Sequence, residues 1–196
     1  GQYSSIQVKI GDSLVSRPYS IVSSPRQALA GKLVLAVENA GFVSGYLTQK
    51  AQVGDRFVMT EPSGEFHYET LRDNHHIVCI AGGSGITPFV SMAASLADGD
   101  EDYEMTLFYG ARTVSQLACR AELEELASRC KGLKVVYVIS DEEHPGYEKG
   151  FVSAKLMEKY VDIKSSSFFM CGPVAMYNFV EKELAPYGLP KKAIHR

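Results

Sequence analysis

The chain contains 196 residues, of which 45% are hydrophobic and 22% are charged, and its formal net charge is -3. This apolar content is enough for one large domain or two small ones. The nearly balanced charge provides no broad attraction to nucleic acid or anionic lipid, so neither is expected as a partner.

Four cysteines are spread along the chain without a C-x-x-C pair, at Cys79, Cys119, Cys130 and Cys171. This spacing predicts no metal site and favours reduced thiols in a cytoplasmic protein. No apolar run approaches the roughly 20 residues that cross a bilayer, so membrane insertion is not expected.

Residues 1–70 have the pattern of short strands separated by Gly, Pro and Ser clusters, which is typical of an antiparallel barrel or sandwich. The predicted strands cover residues 4–10, 17–22, 32–37 and 56–60, and one helix is predicted over 43–51. Because the first strand begins at the chain terminus, the barrel is expected to be incomplete on its N-terminal side.

From His76 the pattern changes to buried strands that alternate with amphipathic helices. The strands are predicted at 76–81, 105–110, 134–139 and 167–172, and the helices near 88–97, 121–130, 152–160 and 174–185. Such alternation predicts a parallel sheet covered on both faces. We place the domain boundary within residues 69–74, which divides the chain into domains 1–70 and 71–196.

The stretch IAGGSGITPF, residues 80–89, follows the first strand of the second domain. Glycines there allow a close approach of the backbone to a ligand, and the next helix offers free N–H groups to phosphate. Pro88 stands where the usual dinucleotide fingerprint has a third glycine, and it suits the first turn of a helix. Alone, G-x-G-x-x-P is a weak signal that also fits a plain strand-to-helix turn.

Two further stretches carry candidate binding residues. In FMCGPVAM, residues 169–176, Cys171 lies at the tip of a buried strand, where it is either a small buried hydrophobe or a wall against a nicotinamide ring. In RPYSIVSSP, residues 17–25, Arg17 and Tyr19 share one face of a strand, suited to a pyrophosphate and a flat ring or to a plain surface pair.

These motifs, in this order, resemble the ferredoxin–NADP reductase superfamily, most closely the NADH-dependent oxygenase reductases and the reductase modules of flavohaemoglobins. The resemblance covers nearly the whole chain and depends on R-x-Y-S, G-x-x-S, G-x-G-x-x-P and C-G-P-x-x-M together. It implies a Greek-key β-barrel that binds FAD, followed by an α/β parallel-sheet domain that binds NAD(P).

The resemblance also implies roles for individual residues near the flavin. Arg17 would neutralise the FAD pyrophosphate, Tyr19 would stack on the flavin, and Ser20 would hydrogen-bond near flavin N5. The remaining flavin-binding candidates are Pro18, Val37, Gly41, Val43 and Ser44.

The nicotinamide half has its own candidates. The resemblance places Thr87 and Cys171, together with Ser20, at the reacting rings. The other nucleotide-binding candidates are Gly82, Gly83, Gly85, Pro88, Gly110, Arg112, Ser140, Asp141, Gly172, Pro173 and Met176.

The choice between NADH and NADPH depends on two charges of opposite sign. Asp141 follows Ser140 after the third strand of the domain, and its carboxylate would repel a 2′-phosphate. Arg112 favours that phosphate. We expect NADH, with NADPH as the alternative.

The resemblance implies an enzyme that passes a hydride from NAD(P)H to FAD and then single electrons to an iron–sulfur protein or domain. No C-x-x-x-x-C-x-x-C run is present, so that acceptor would lie elsewhere. Two alternatives remain: the flavin subunit of a larger electron-transfer complex, or a non-catalytic nucleotide-binding module without flavin.

Overall fold

The computed structural model of the protein describes residues 1–196 and contains two β-sheets. The first sheet is antiparallel, in the order β2-β1-β3, with β1 at Tyr3–Ile10, β2 at Ser13–Ser20 and β3 at Val58–Met59. A two-residue turn joins β1 to β2, and its Gly11 has a φ of 60°, a left-handed conformation that glycine adopts without strain.

The predicted strand over residues 32–37 is wrong, since this segment makes only one bridge, between Leu35 and Ile21. The reason is a side chain that competes with the ladder: the Val34 amide donates to the Ser23 hydroxyl at 3.0 Å. The strand predicted over 17–22 begins earlier and ends at Ser20, and the strand predicted over 56–60 shortens to β3.

Two helices accompany the first sheet. Helix α1, Pro25–Leu29, was not predicted; Ser24 caps it in a reciprocal capping box with Gln27. Helix α2, Phe42–Gln49, confirms the predicted helix within two residues and packs against β2.

The second sheet has six parallel strands in the order β7-β6-β5-β4-β8-β9. The strands are β4 at His76–Gly82, β5 at Glu104–Ala111, β6 at Leu133–Ile139, β7 at Glu148–Lys149, β8 at Ser167–Cys171 and β9 at Ile194–His195. The four long strands confirm the prediction. The two-residue strands β7 and β9 were missed because a pair of residues has no detectable periodicity.

Helices cover both faces of this sheet. Helices α3, Thr87–Ala97, and α4, Arg120–Arg129, pack on one face, and α5, Ala154–Met157, and α6, Val174–Leu184, pack on the other. The helix predicted over 152–160 is shorter than expected because Ser153 caps it and a turn follows Met157. The predicted class, an antiparallel barrel portion followed by an α/β parallel-sheet domain, is confirmed. No helix has both the length and the apolar character to span a bilayer.

The carboxylate of Asp73 holds the linker between the two sheets in place through hydrogen bonds. The side chain of Asp73 is fully buried and accepts hydrogen bonds from Arg72 at 2.8 Å and from His195 at 2.6 Å. It also accepts from the Glu69 amide at 2.9 Å. Burial opposes ionisation, but these donors outweigh it, and the pKa of Asp73 is held below its ordinary value.

We expect Asp73→Ala to lower the free energy of unfolding by about 3 kcal/mol, because Arg72 and His195 lose a buried partner. A lowered folded-state pKa stabilises the protein fully above the unfolded pKa of about 4 and less as the pH falls below it. Urea unfolding followed by circular dichroism should therefore show a deficit that shrinks in acid. The exposed Asp102→Ala is the control, and a deficit independent of pH would contradict this role.

Candidate functional site

The sheet topology brings two predicted turns together. From β4 the chain runs outward through β5, β6 and β7, and then returns to the other side of β4 as β8. Ala81 of β4 lies opposite Cys171 of β8, so the turns that follow both strands share one edge. Such a switch point is where open α/β sheets bind ligands.

The glycines of these turns are required by their packing against each other. A Cβ on Gly85 would lie 2.1 Å from the carbonyl oxygen of Cys171, and one on Gly82 would lie 2.9 Å from the sulfur of Met176. A Cβ on Gly172 would lie 2.7 Å from the terminal methyl of Met176. The two turns therefore touch backbone to backbone, and side chains are excluded from the contact.

The glycine-rich turn also explains Pro88. Residues Gly83–Ile86 form a 3₁₀ turn that leads into α3, and Gly83 has a φ of 56°. The Tyr109 hydroxyl donates to the Gly83 carbonyl at 3.2 Å and supports the turn from below. Pro88 is buried in the first turn of α3, where its missing N–H costs nothing.

A cleft of about 930 Å³ lies above this edge of the sheet. Residues of both domains form its walls. Ala36, Val37 and Glu38 come from the first domain, and the turns after β4, β5, β6 and β8 come from the second. The predicted residues that line it are Val37, Gly82, Gly83, Thr87, Gly110, Arg112, Ser140, Pro173 and Met176. The structure thus assembles most of the nucleotide-binding candidates in one place.

A second cleft, of about 720 Å³, lies beside the first sheet. The predicted residues that line it are Arg17, Pro18, Tyr19, Gly41, Val43 and Ser44. Glu38 belongs to the walls of both clefts, so the two spaces adjoin at this residue. Apart from Val37, which lines the first cleft, and Ser20, which lines neither, the flavin candidates therefore form a group beside the nicotinamide candidates.

Two chemical features of the second cleft suit an anionic, aromatic ligand. Arg17 is exposed, and its guanidinium bonds only to the neighbouring Ser16 carbonyl, at 2.8 Å, which leaves other donors free. Tyr19 is half-buried; burial raises its pKa, although the charge of Arg17 opposes the rise. Its ring packs against the small core formed by Ile6, Val8 and Val43.

The N-terminus of α2 opens onto the same cleft. The first intrahelical bond is donated by Gly45, so the amides of residues 42–44 lack helical partners. The Ser44 hydroxyl accepts from the Ala40 amide at 3.0 Å and donates to the Gly41 carbonyl at 3.1 Å. Its observed role is to shape the turn, and the free donors at this end are main-chain amides.

Six predicted residues do not line either cleft: Ser20, Gly85, Pro88, Asp141, Cys171 and Gly172. Ser20 is half-buried at the end of β2, opposite Tyr3. Cys171 and Gly172 are half-buried behind the cleft residues Pro173 and Met176. Burial raises the pKa of the Cys171 thiol, so it is protonated at neutral pH.

Arg112 and Asp141, the two opposing charges of the sequence, form an ion pair at 2.7 Å. The Ser140 hydroxyl donates to the same carboxylate at 2.6 Å. The hydrogen bonds from Ser140 and Arg112 hold the pKa of Asp141 below its ordinary value. The one arginine in the cleft wall therefore already has an anionic partner.

Several wall residues were missed from the sequence. Phe151 and Phe179 form an aromatic pair with ring centroids 5.9 Å apart at one end of the first cleft. Cys119, with a left-handed φ of 56°, lines another part of it. Phe151 follows Gly150 and the two-residue β7, so a strand too short to recognise concealed the position.

Comparison with known proteins finds two family profiles along the chain. The family profile described as "Oxidoreductase FAD-binding domain" matches residues 1–68, and "Oxidoreductase NAD-binding domain" matches residues 79–182.

Three relatives illustrate the range. NADH-cytochrome b5 reductase 1 of Dictyostelium discoideum is 30% identical over 99% of this chain and 68% of its own length. The reductase subunit of an Amycolatopsis aromatic O-demethylase is 29% identical over 100% and 59%. The solved flavohem-like FAD/NAD-binding domain of Vibrio cholerae nitric oxide dioxygenase superposes with a TM-score of 0.83 at 26% identity, covering 99% of this chain and 82% of that one. The chain spans 50% to 68% of the length of the first curated relatives.

The contact between the two turns predicts the effect of one methyl group. Gly85→Ala should lower the free energy of unfolding by about 3 kcal/mol, because the new Cβ meets a rigid carbonyl rather than a flexible side chain. Urea unfolding measures this change. Gly132→Ala is the matched control, since its Cβ would have ordinary contacts of 3.6 Å or more. Equal stability of the two variants would contradict the packing described above.

Proposed function

The chain belongs to the ferredoxin–NADP reductase superfamily of FAD- and NAD-binding oxidoreductases, and from this we propose that it passes a hydride from NADH to FAD and then single electrons to an iron–sulfur acceptor. Residues 1–70 would hold the flavin and residues 71–196 the nicotinamide nucleotide. The observation that carries the proposal is the junction of two clefts at Glu38, one lined by most of the flavin candidates and one by most of the nicotinamide candidates.

The donors of the second cleft fit FAD. The free guanidinium donors of Arg17 and the free amides at the start of α2 supply positive charge and N–H groups for a pyrophosphate. Tyr19 offers a ring for stacking, held in place by the core behind it. Val43 and Pro18 add apolar surface to the wall of this cleft.

The first cleft would orient the nicotinamide end of the nucleotide. Gly83 and Gly82 allow the backbone to approach it closely, and Thr87 presents a hydroxyl that donates to Ser84 at 3.2 Å. Cys171, a neutral thiol beside the wall, adds polarisable bulk rather than acid–base chemistry. We assign Ser20, at the end of the strand that carries Arg17 and Tyr19, as a donor toward the flavin ring.

Bound FAD supplies the hydride acceptance and the release of electrons one at a time, and the protein supplies orientation and exclusion of water. Several relatives are named as reductase components of oxygenases, such as the electron transfer component of an Acinetobacter anthranilate dioxygenase. This supports a protein acceptor, which we take to be an iron–sulfur protein or domain.

The four free thiols support a cytoplasmic location.

The proposed function predicts a yellow protein. After incubation with FAD and gel filtration, the visible spectrum should show bound oxidised flavin, and anaerobic NADH should bleach it stoichiometrically. A ferredoxin-type iron–sulfur protein should then reoxidise the flavin. A protein that binds NADH but never FAD would instead be a non-catalytic module. Bound flavin that NADH does not bleach would contradict hydride transfer, and it would favour a subunit that functions only within a larger complex.

The ion pair in the cleft wall favours NADH. Asp141 both neutralises Arg112 and repels a 2′-phosphate. We expect Asp141→Ser to raise the ratio of kcat/KM for NADPH over NADH by at least about tenfold, because the guanidinium becomes free to bind phosphate. Steady-state kinetics with both nucleotides measure the ratio.

Glu143→Ser, an exposed acidic residue in the same loop, is the control for this prediction. An unchanged ratio in Asp141→Ser would refute the assignment. A gain that persists when Arg112→Ala is added would show that the guanidinium does not bind the phosphate.

A further inference from the structure

Tyr177, which no sequence motif singled out, makes hydrogen bonds to the turn that carries Cys171. It lies in the first turn of α6, and its hydroxyl accepts from the Gly172 amide at 3.3 Å and donates to the Met170 carbonyl at 3.4 Å. The side chain is half-buried. One hydroxyl therefore bridges the residues on either side of Cys171.

This bridge is needed because the turn lies beyond the sheet. Strand β8 ends at Cys171, so the Gly172 amide has no partner in the ladder. An amide that is shielded from water and unpaired costs free energy, and Tyr177 removes that cost. The Tyr177 hydroxyl also opposes the rise in the pKa of the Cys171 thiol that burial causes.

Beyond the β4–β8 ladder, the turn meets the glycine-rich loop through packing. The Cys171 carbonyl lies against Gly85, and Gly172 lies against Gly82 and the side chain of Met176. These contacts limit how far the turn moves toward the glycine-rich loop. They do not set the rotation of the Gly172 peptide group, which lies beyond the ladder and is oriented by directional bonds.

We infer that Tyr177 is a positioning residue for hydride transfer: its hydroxyl orients the Met170–Gly172 turn and thereby the Cys171 thiol beside the nicotinamide. This inference rests on the proposed function, since it assigns the turn to the nicotinamide side of the site. Small displacements of positioning groups reduce rates strongly even when binding is preserved.

The test uses Tyr177→Phe with FAD bound. In anaerobic stopped-flow experiments, the rate of flavin reduction at saturating NADH should fall about tenfold, the effect of about 1.4 kcal/mol of lost hydrogen bonding. The FAD spectrum and the dissociation constant for NADH should change little. Tyr187→Phe is the matched control: it also loses one hydroxyl hydrogen bond, but that bond goes to Glu158 at 2.6 Å and not to the turn of Cys171.

A second readout does not require flavin chemistry. In a Cys119→Ser, Cys130→Ser background, alkylation by iodoacetamide reports on Cys171, because Cys79 is fully buried. Tyr177→Phe should move the pH profile of alkylation upward, since the thiolate loses a donor.

The two readouts separate the possible failures. A wild-type protein that NADH does not reduce contradicts the proposed function, while the alkylation profile still shows whether Tyr177 acts on Cys171. A variant that is reduced at the wild-type rate overturns the inference. A slower rate with an unchanged alkylation profile overturns it as well, because the effect would not pass through Cys171.

Discussion

The close contact between the turns after β4 and β8 is the constraint on which the rest of the site depends. A side chain at any of three glycines, Gly82, Gly85 and Gly172, would overlap the opposite turn or the side chain of Met176. The contact brings the ends of two parallel strands together and leaves the cleft open above them. In this protein the glycines serve turn-to-turn packing, and Pro88 in place of another glycine is compatible with it.

A second requirement is that the two sheets keep a fixed relation, because the cleft has walls from both. Ser91, in the helix after the glycine-rich turn, donates to the Ser23 carbonyl at 2.9 Å. Ser24 donates to Asp98 at 2.7 Å, and Arg26 pairs with Asp100 at 2.5 Å. Exposed ion pairs contribute little alone, but the buried Ser23 and Ser24 join the segment after β2 to α3 and its C-terminal cap, and Asp73 joins the linker to β9.

Aromatic side chains also pack at the interface between the two domains. Phe66, from the segment before the linker, meets Phe89 of α3 and Phe169 of β8 edge-on, at centroid distances of 5.7 Å and 5.5 Å. His195 stacks on Phe169 while its other edge bonds to Asp73. Phe169, two residues before Cys171, is thereby packed between the two domains. The rigidity of this interface is therefore linked to the geometry of the cleft.

The sequence by itself determined the fold class and the long strands and helices, which follow from local periodicity, and its motifs predicted many of the residues that line the two clefts. The tertiary structure decided the contacts between elements, which local patterns do not specify. Leu35 forms a bridge rather than a strand because Ser23, distant in sequence, takes the Val34 amide. Arg112 has an anionic partner because β5 and β6 lie side by side, and Tyr177 bonds to Gly172 because its helix begins beside that turn. Each of these contacts depends on which elements become neighbours in the fold. Burial of apolar surface over the whole chain supplies the free energy that determines this arrangement.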